Sequence, residues 1–110
     1  VVAVKLKKME AEGKIKLYYW KTPQTEEVDF VVQKATKITH LIEVCSNLQD
    51  IKQIEKKKRA LLKASQHLKC DNLIIINDSV EKEELFRWFN KKAKIKFIPL
   101  HKWLNEELDI

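Results

Sequence analysis

Glycine and proline are almost missing from this chain of 110 residues: Gly13 is its one glycine, and Pro23 and Pro99 are its two prolines. Such a composition leaves little room for irregular loops, and no repeat or low-complexity tract is present. Cysteine is scarce as well. Cys45 and Cys70 end apolar runs and match no metal-ligand spacing, so they read as small buried hydrophobes of a protein in a reducing cytosol. His40, His67 and His101 are scattered, and none stands in a metal-binding pattern. No window approaches the ~20 apolar residues of a membrane span, and no signal-peptide pattern opens the chain. The expectation is a soluble, cytoplasmic protein that makes no use of a membrane. Val1 is not an initiator Met, and helical periodicity is already under way at Val2, so the chain is expected to begin inside a longer protein.

What is present is 45% hydrophobic and 35% charged, a globular balance. The length suits one domain over residues 1–110, with a real core and no room for a second. The net charge of +6 is unevenly placed. Residues 1–70 hold fifteen Lys/Arg against eight Asp/Glu, and residues 71–110 hold seven against eight. A basic first two-thirds fits a phosphate-binding face, and it fits a lysine-rich solvated surface equally well.

Hydrophobic periodicity gives the elements. Residues 2–12 read as a helix with Val2, Leu6 and Met9 on one face and Gly13 as terminator. Three short strands are expected at 14–20, 28–33 and 39–45, joined by polar links into an antiparallel meander. A long helix over 50–68 opens on Asp50 and Gln53, a capping-box pair, and buries Ile51, Ile54, Leu61, Leu62, Ser65 and Leu68. Residues 73–76 make a fully apolar strand. Asp78 with Glu81 is expected to open a helix through Asn90 that buries Leu85, Trp88 and Phe89. A last strand over 94–98 leads through Pro99 to a short amphipathic segment with Trp103 and Leu104. The order α-β-β-β-α-β-α-β predicts an α/β fold with a mixed sheet and helices packed on it.

Two carboxylates occupy positions where the pattern wants hydrophobes: Asp29 within Val28-Asp29-Phe30-Val31-Val32, and Glu43 within Leu41-Ile42-Glu43-Val44-Cys45. Strand alternation puts Val28, Phe30 and Val32 on one face and Asp29 on the other, and likewise separates Ile42 and Val44 from Glu43 and Cys45. Carboxylates converging from adjacent strands make a hard-oxygen site for Mg²⁺ or Mn²⁺. A buried carboxylate needs a partner, and two kinds satisfy it: a metal ion, or a lysine or Arg59 in a structural salt bridge.

Six segments in order extend the pattern: Tyr18-Tyr19-Trp20-Lys21-Thr22, Glu27 to Val31, Leu41 to Val44, Lys63-Ala64-Ser65, Lys69 to Ile76, and Lys96 to Leu100 followed by Lys102-Trp103-Leu104. Together they resemble the PD-(D/E)XK, or restriction-endonuclease-like, nuclease domain, and more narrowly the one at the C-terminus of archaeal AAA+ ATPases. The resemblance implies an α-β-β-β-α-β core, here with an extra helix and strand at the C-terminus, and an ATPase domain in the same chain. It also implies that Asp29 and Glu43 bind the metal. The family's lysine, two residues after the Glu, falls at Cys45, and a Glu often found in the first helix falls at Lys5; both are departures.

A thiol cannot supply the fixed cation that phosphodiester hydrolysis uses. Lys58, between Ile54 and Leu62 on the stripe of the long helix, is the candidate replacement, or else it snorkels over the core. Tyr18, Tyr19 and Trp20 could stack unpaired bases, though packing of helices on the first strand is the simpler reading. Lys52, Lys56, Lys63 and Arg59 could meet phosphates or form a solvated helix face. The sequence therefore points to a DNA-associated module with weak or no Mg²⁺-dependent nuclease activity. The alternative is a non-catalytic module that docks DNA or protein.

Overall fold

The computed structural model describes residues 1–105, and the elements below are those of that span. They are α1 (Val2–Ala11), β1 (Lys16–Lys21), β2 (Glu27–Lys34), β3 (Lys37–Val44), α2 (Ile51–Leu68), β4 (Leu73–Asn77), β5 (Lys82–Trp88), β6 (Lys91–Pro99) and α3 (Leu100–Asn105). No helix among them is long and apolar enough to cross a membrane.

Local sequence sets the helix ends as expected. Gly13, at φ +78°, stops α1, and the amides of Gly13 and Lys14 return to the carbonyls of Glu10 and Met9. The Asp50 side chain accepts from the Gln53 amide at the start of α2. Lys69 adopts the left-handed conformation at its end, where the Cys70 amide closes onto Ser65.

The six strands form one mixed sheet in the order β1-β2-β3-β4-β6-β5. The first three make the antiparallel meander, and α2 then carries the chain across so that β4 lies parallel to β3. β6 runs parallel to β4 on its far side, and β5 closes the edge antiparallel to β6. One face packs Val31, Leu41, Leu73, Ile75, Ile95 and Phe97 against Leu61, Leu62 and Ala64 of α2. The other packs Val32, Ile42, Ile74 and Ile76 against Val2 and Leu6 of α1 and Trp103 of α3. β4, buried along its whole length, feeds both cores.

The helix expected over 78–90 is instead a turn and the strand β5, so the described residues end β-β-α. Its Glu, Lys, Leu and Arg content favours helix, but Glu84, Phe86 and Trp88 also fit a period of two, and that face is the one that turns inward. Asn77 holds the preceding turn: its Oδ1 accepts from the amides of Ser79 and Val80, and its Nδ2 donates to the carbonyls of Val80 and Ile98. Pairing with β6 from Lys82–Phe97 to Trp88–Lys91 then outweighs helix propensity. Leu85 and Phe89, expected in the core, are 50% and 85% exposed.

Three smaller expectations also give way. Ile51 is exposed, because α2 meets the sheet only from Ile54 onward. Tyr18 and Tyr19 are exposed on the edge strand β1, where no second neighbour strand covers them, and of the three aromatics only Trp20 joins the core. Val28 lies with Val31 on the α2 face, whereas Phe30 and Val32 lie on the other. The cause is a β-bulge: Tyr18 pairs Val31 and Trp20 pairs Val28, so β2 spends one more residue than β1 around Asp29 and Phe30.

Candidate functional site

Asp29 lies in the bulge of β2 and Glu43 one residue before the end of β3, each one step beyond the Phe30–Ile42 pair. The two stand side by side at the end of the sheet where β3, β4 and β6 finish, the edge at which open α/β sheets gather ligands. They are joined reciprocally through backbone. The Asp29 amide donates to Glu43 Oε1 at 2.7 Å, and the Val44 amide donates to Asp29 Oδ2 at 2.9 Å.

Glu43 is fully buried, and its second oxygen, Oε2, has no hydrogen-bond partner among the described residues. Burial first, and the Asp29 charge second, push its pKa up to about 8, against the opposing pull of Lys57 and the Asp29 amide. With nothing bound, the carboxyl is therefore mostly protonated at neutral pH.

Lys57 of α2 reaches the pair: its Nζ lies 3.6 Å from Asp29 Oδ2. Lys58, the candidate replacement cation, is engaged elsewhere. Its Nζ lies 2.5 Å from Glu84 Oε2 on β5 and over the rings of Phe86 and Phe97. Cys45, the residue just after β3, is buried in the core on the α2 side. Its thiol faces the Asn47 carbonyl at 3.5 Å, and burial raises its pKa, partly offset by Lys57. Cys70 is likewise buried and free.

Two chambers flank the carboxylates. A polar one of about 140 Å³ is lined by Thr25, Glu27, Glu43, Gln53, Lys56 and Lys57. An apolar one of about 490 Å³ runs from Asp29 past Phe30, Tyr19 and Val44 to Val2 and Leu100. The four cations expected on a phosphate face divide. Lys52 and Lys56 are exposed, while Lys63 and Arg59 turn to the buried Glu26, at 2.5 and 3.8 Å. Lys5 binds the other end of the molecule: its Nζ donates to the carbonyls of Trp103 and Leu104 at 3.2 and 2.9 Å, tying α1 to α3.

Among the described residues, no three His, Cys, Asp or Glu side chains converge as a ready-made metal ligand set. The donor set is two carboxylates, which suits a hard cation that keeps several of its waters. The orphaned, buried Glu43 Oε2 is the feature that fits such an ion.

The model of one family, a domain of unknown function (DUF4143), matches residues 1–103, and the chain belongs to that family. No curated protein and no solved structure matches it.

Proposed function

We propose that this DUF4143 domain is a nucleic-acid-associated module of the PD-(D/E)XK nuclease type, in which Asp29 and Glu43 hold one Mg²⁺ or Mn²⁺. The observation that carries the reading is the sealed, unpartnered Oε2 of Glu43 beside Asp29 and Lys57. A buried carboxyl oxygen without a partner costs free energy unless something binds it, and a proton or a metal ion answers that need. The order α1-β1-β2-β3-α2-β4, with β3 and β4 parallel, supports the restriction-endonuclease-like core. An ATPase domain in the same chain and a cytoplasmic, archaeal setting belong to the same reading.

The chemistry follows from the residues. A divalent ion held there would polarise the phosphate and lower the pKa of a bound water. Glu43 would release its proton to solvent on becoming a ligand. Lys57 stands where its ammonium can meet a phosphate oxygen, supplying from α2 the charge that Cys45, just after β3, cannot supply. Lys56 and Gln53, on the wall of the polar chamber, extend that anion-facing surface.

The test is a Mn²⁺ titration followed by the paramagnetic signal of the free ion, with a plasmid-nicking assay in parallel. Wild type should take up one ion, and Asp29→Ala should take up none. A folded wild type that takes up no Mn²⁺ and leaves DNA uncut would end the metal reading. One observation favours a second reading, a non-catalytic docking module: Cys45 is buried in the position where PD-(D/E)XK nucleases carry their lysine. That reading expects Mn²⁺ uptake without any nicking, or neither.

A further inference from the structure

The β5–β6 hairpin carries a cationic face that neither core uses. Opposite the inward row of Phe86, Ile95 and Phe97, the register sets Arg87 against Lys92, Leu85 against Lys94 and Glu83 against Lys96. All six of these side chains are exposed. Lys94 has an ion pair with Glu83 at 3.8 Å, but no ion pair is formed by Arg87, Lys91 or Lys92 among the described residues. Counting charge along the sequence hides this face, because residues 71–110 hold as many acids as bases to within one.

Two features set it apart from an ordinary solvated surface. Lys92 and Lys94 lie where the hairpin extends beyond the rest of the sheet, because β4 pairs with β6 only from Ile95 to Pro99. Arg87 directly across from Lys92 is a like-charge pair, which weakens a ladder unless an anion bridges it. The tip is the second feature. The two-residue loop Phe89–Asn90 puts Phe89 at φ +55°, a conformation that bulky residues rarely adopt. Its ring meets Trp88 edge-on at 4.7 Å and is otherwise in solvent.

At the tip Phe89 leans on Trp88, on the α2 side of the hairpin, just beyond the Arg87–Lys92 pair on the other side, so a ring and a row of cations adjoin there and match the two needs of nucleic-acid binding: charge for the backbone and a flat ring for an unstacked base. We infer that the β5–β6 hairpin is a nucleic-acid contact in which Arg87, Lys92 and Lys94 neutralise phosphates and Phe89 stacks on an exposed base. The partner is single-stranded nucleic acid or a duplex end, where a base face is free. This surface extends the nucleic-acid reading above, and it works without the metal pair.

The experiment is fluorescence anisotropy of a labelled oligothymidine, and of a blunt duplex, in EDTA across a salt series. Lys92→Glu/Lys94→Glu should weaken binding at least ~10-fold and lower the salt slope by about 0.7 for each lost contact on a single strand. Phe89→Ser should weaken oligothymidine binding ~10-fold while leaving the salt slope unchanged. Lys92→Gln/Lys94→Gln serves if charge reversal disturbs folding by circular dichroism. Hairpin variants that bind as wild type does would overturn the inference. So would full affinity in Phe89→Ser, which would leave only a polyanion patch, or a wild type that prefers phosphatidylserine vesicles to the oligonucleotide. Mn²⁺ uptake, read in the same proteins, reports separately on Asp29 and Glu43, so a failure there removes the metal reading and not this one.

Discussion

Lys57 Nζ stands 3.6 Å from Asp29 Oδ2, while its neighbour Lys58, about 100° round the helix, is committed to Glu84. Substitutions at these adjacent lysines should therefore have opposite consequences. Lys57→Met is expected to cut Mg²⁺-dependent nicking by ~10²–10³ with little change in stability, as loss of one transition-state charge partner does. Lys58→Met should leave nicking in place but destabilise the fold by about 2–3 kcal/mol, less than for a fully buried pair because Glu84 keeps 28% of its side chain in solvent. Urea denaturation alongside the nicking assay reads both. A folded Lys58→Met protein that no longer cuts would move the catalytic cation back to position 58.

The raised pKa of Glu43 makes stability depend on pH. Between the ordinary carboxylate value and about 8, the folded state holds a proton that the unfolded state has released. That contribution is complete below the unfolded pKa and is lost as pH rises through about 8. In EDTA, Tm should fall between about pH 5 and pH 9 by more in wild type than in Glu43→Gln. Mn²⁺ should restore Tm at the alkaline end only where Glu43 is present, and its uptake should release a proton measurable by calorimetry in buffers of differing ionisation heat. Parallel Tm profiles for the two proteins would show that Glu43 does not titrate in this range.

The Lys57 charge is felt at the Cys45 thiol as well as at Asp29, which predicts compensation. Cys45→Lys should recover most of the nicking lost in Lys57→Met, and the double-mutant cycle should depart strongly from additivity. In a wild-type background the same change should add little to catalysis, and it should cost stability by placing a second ammonium beside the first. Equal gains from Cys45→Lys with and without Lys57 would mean that the helix lysine contributes nothing to catalysis.

Glu26 is the buried hub for Lys63 and Arg59, which removes both from any phosphate face. Lys63→Ala should therefore lower stability, by ~1–3 kcal/mol, and leave oligonucleotide affinity almost unchanged. Glu26→Gln should do the opposite to binding, strengthening it as the two cations are released. Anisotropy and chemical denaturation on the two variants decide this.

Asp29 and Glu43 are legible in the sequence because a carboxylate inside an apolar strand contradicts its surroundings and must be explained. The meander and α2 are legible for a related reason: periodicity and capping agree there. Lys57 is not. Positions 57 and 58 both flank the buried stripe of α2, and which of them reaches the site depends on how the helix lies across the sheet. β5 is hidden because residues 82–88 satisfy two periods at once, and the choice is made by β6, which offers a strand edge to pair with. The basic hairpin face is hidden in turn, since its cations are interleaved in sequence with inward-facing apolar residues and separated from them only by the pleat.

The bulge in β2 gives the carboxylate site an unusual genetic footprint. Asp29 and Phe30 together stand against Tyr19 alone, so one of them is a residue that the β1–β2 ladder does not use. Replacing Asp29 would alter chemistry and leave the architecture standing. Deleting one of the two residues would restore a regular ladder, with Val28 still opposite Trp20 and two positions from Val31 on the α2 face. The carboxylate thus sits at a point of the strand where substitution and single deletion alike spare the pairing on either side, so a domain of this kind can lose its chemistry without losing its shape.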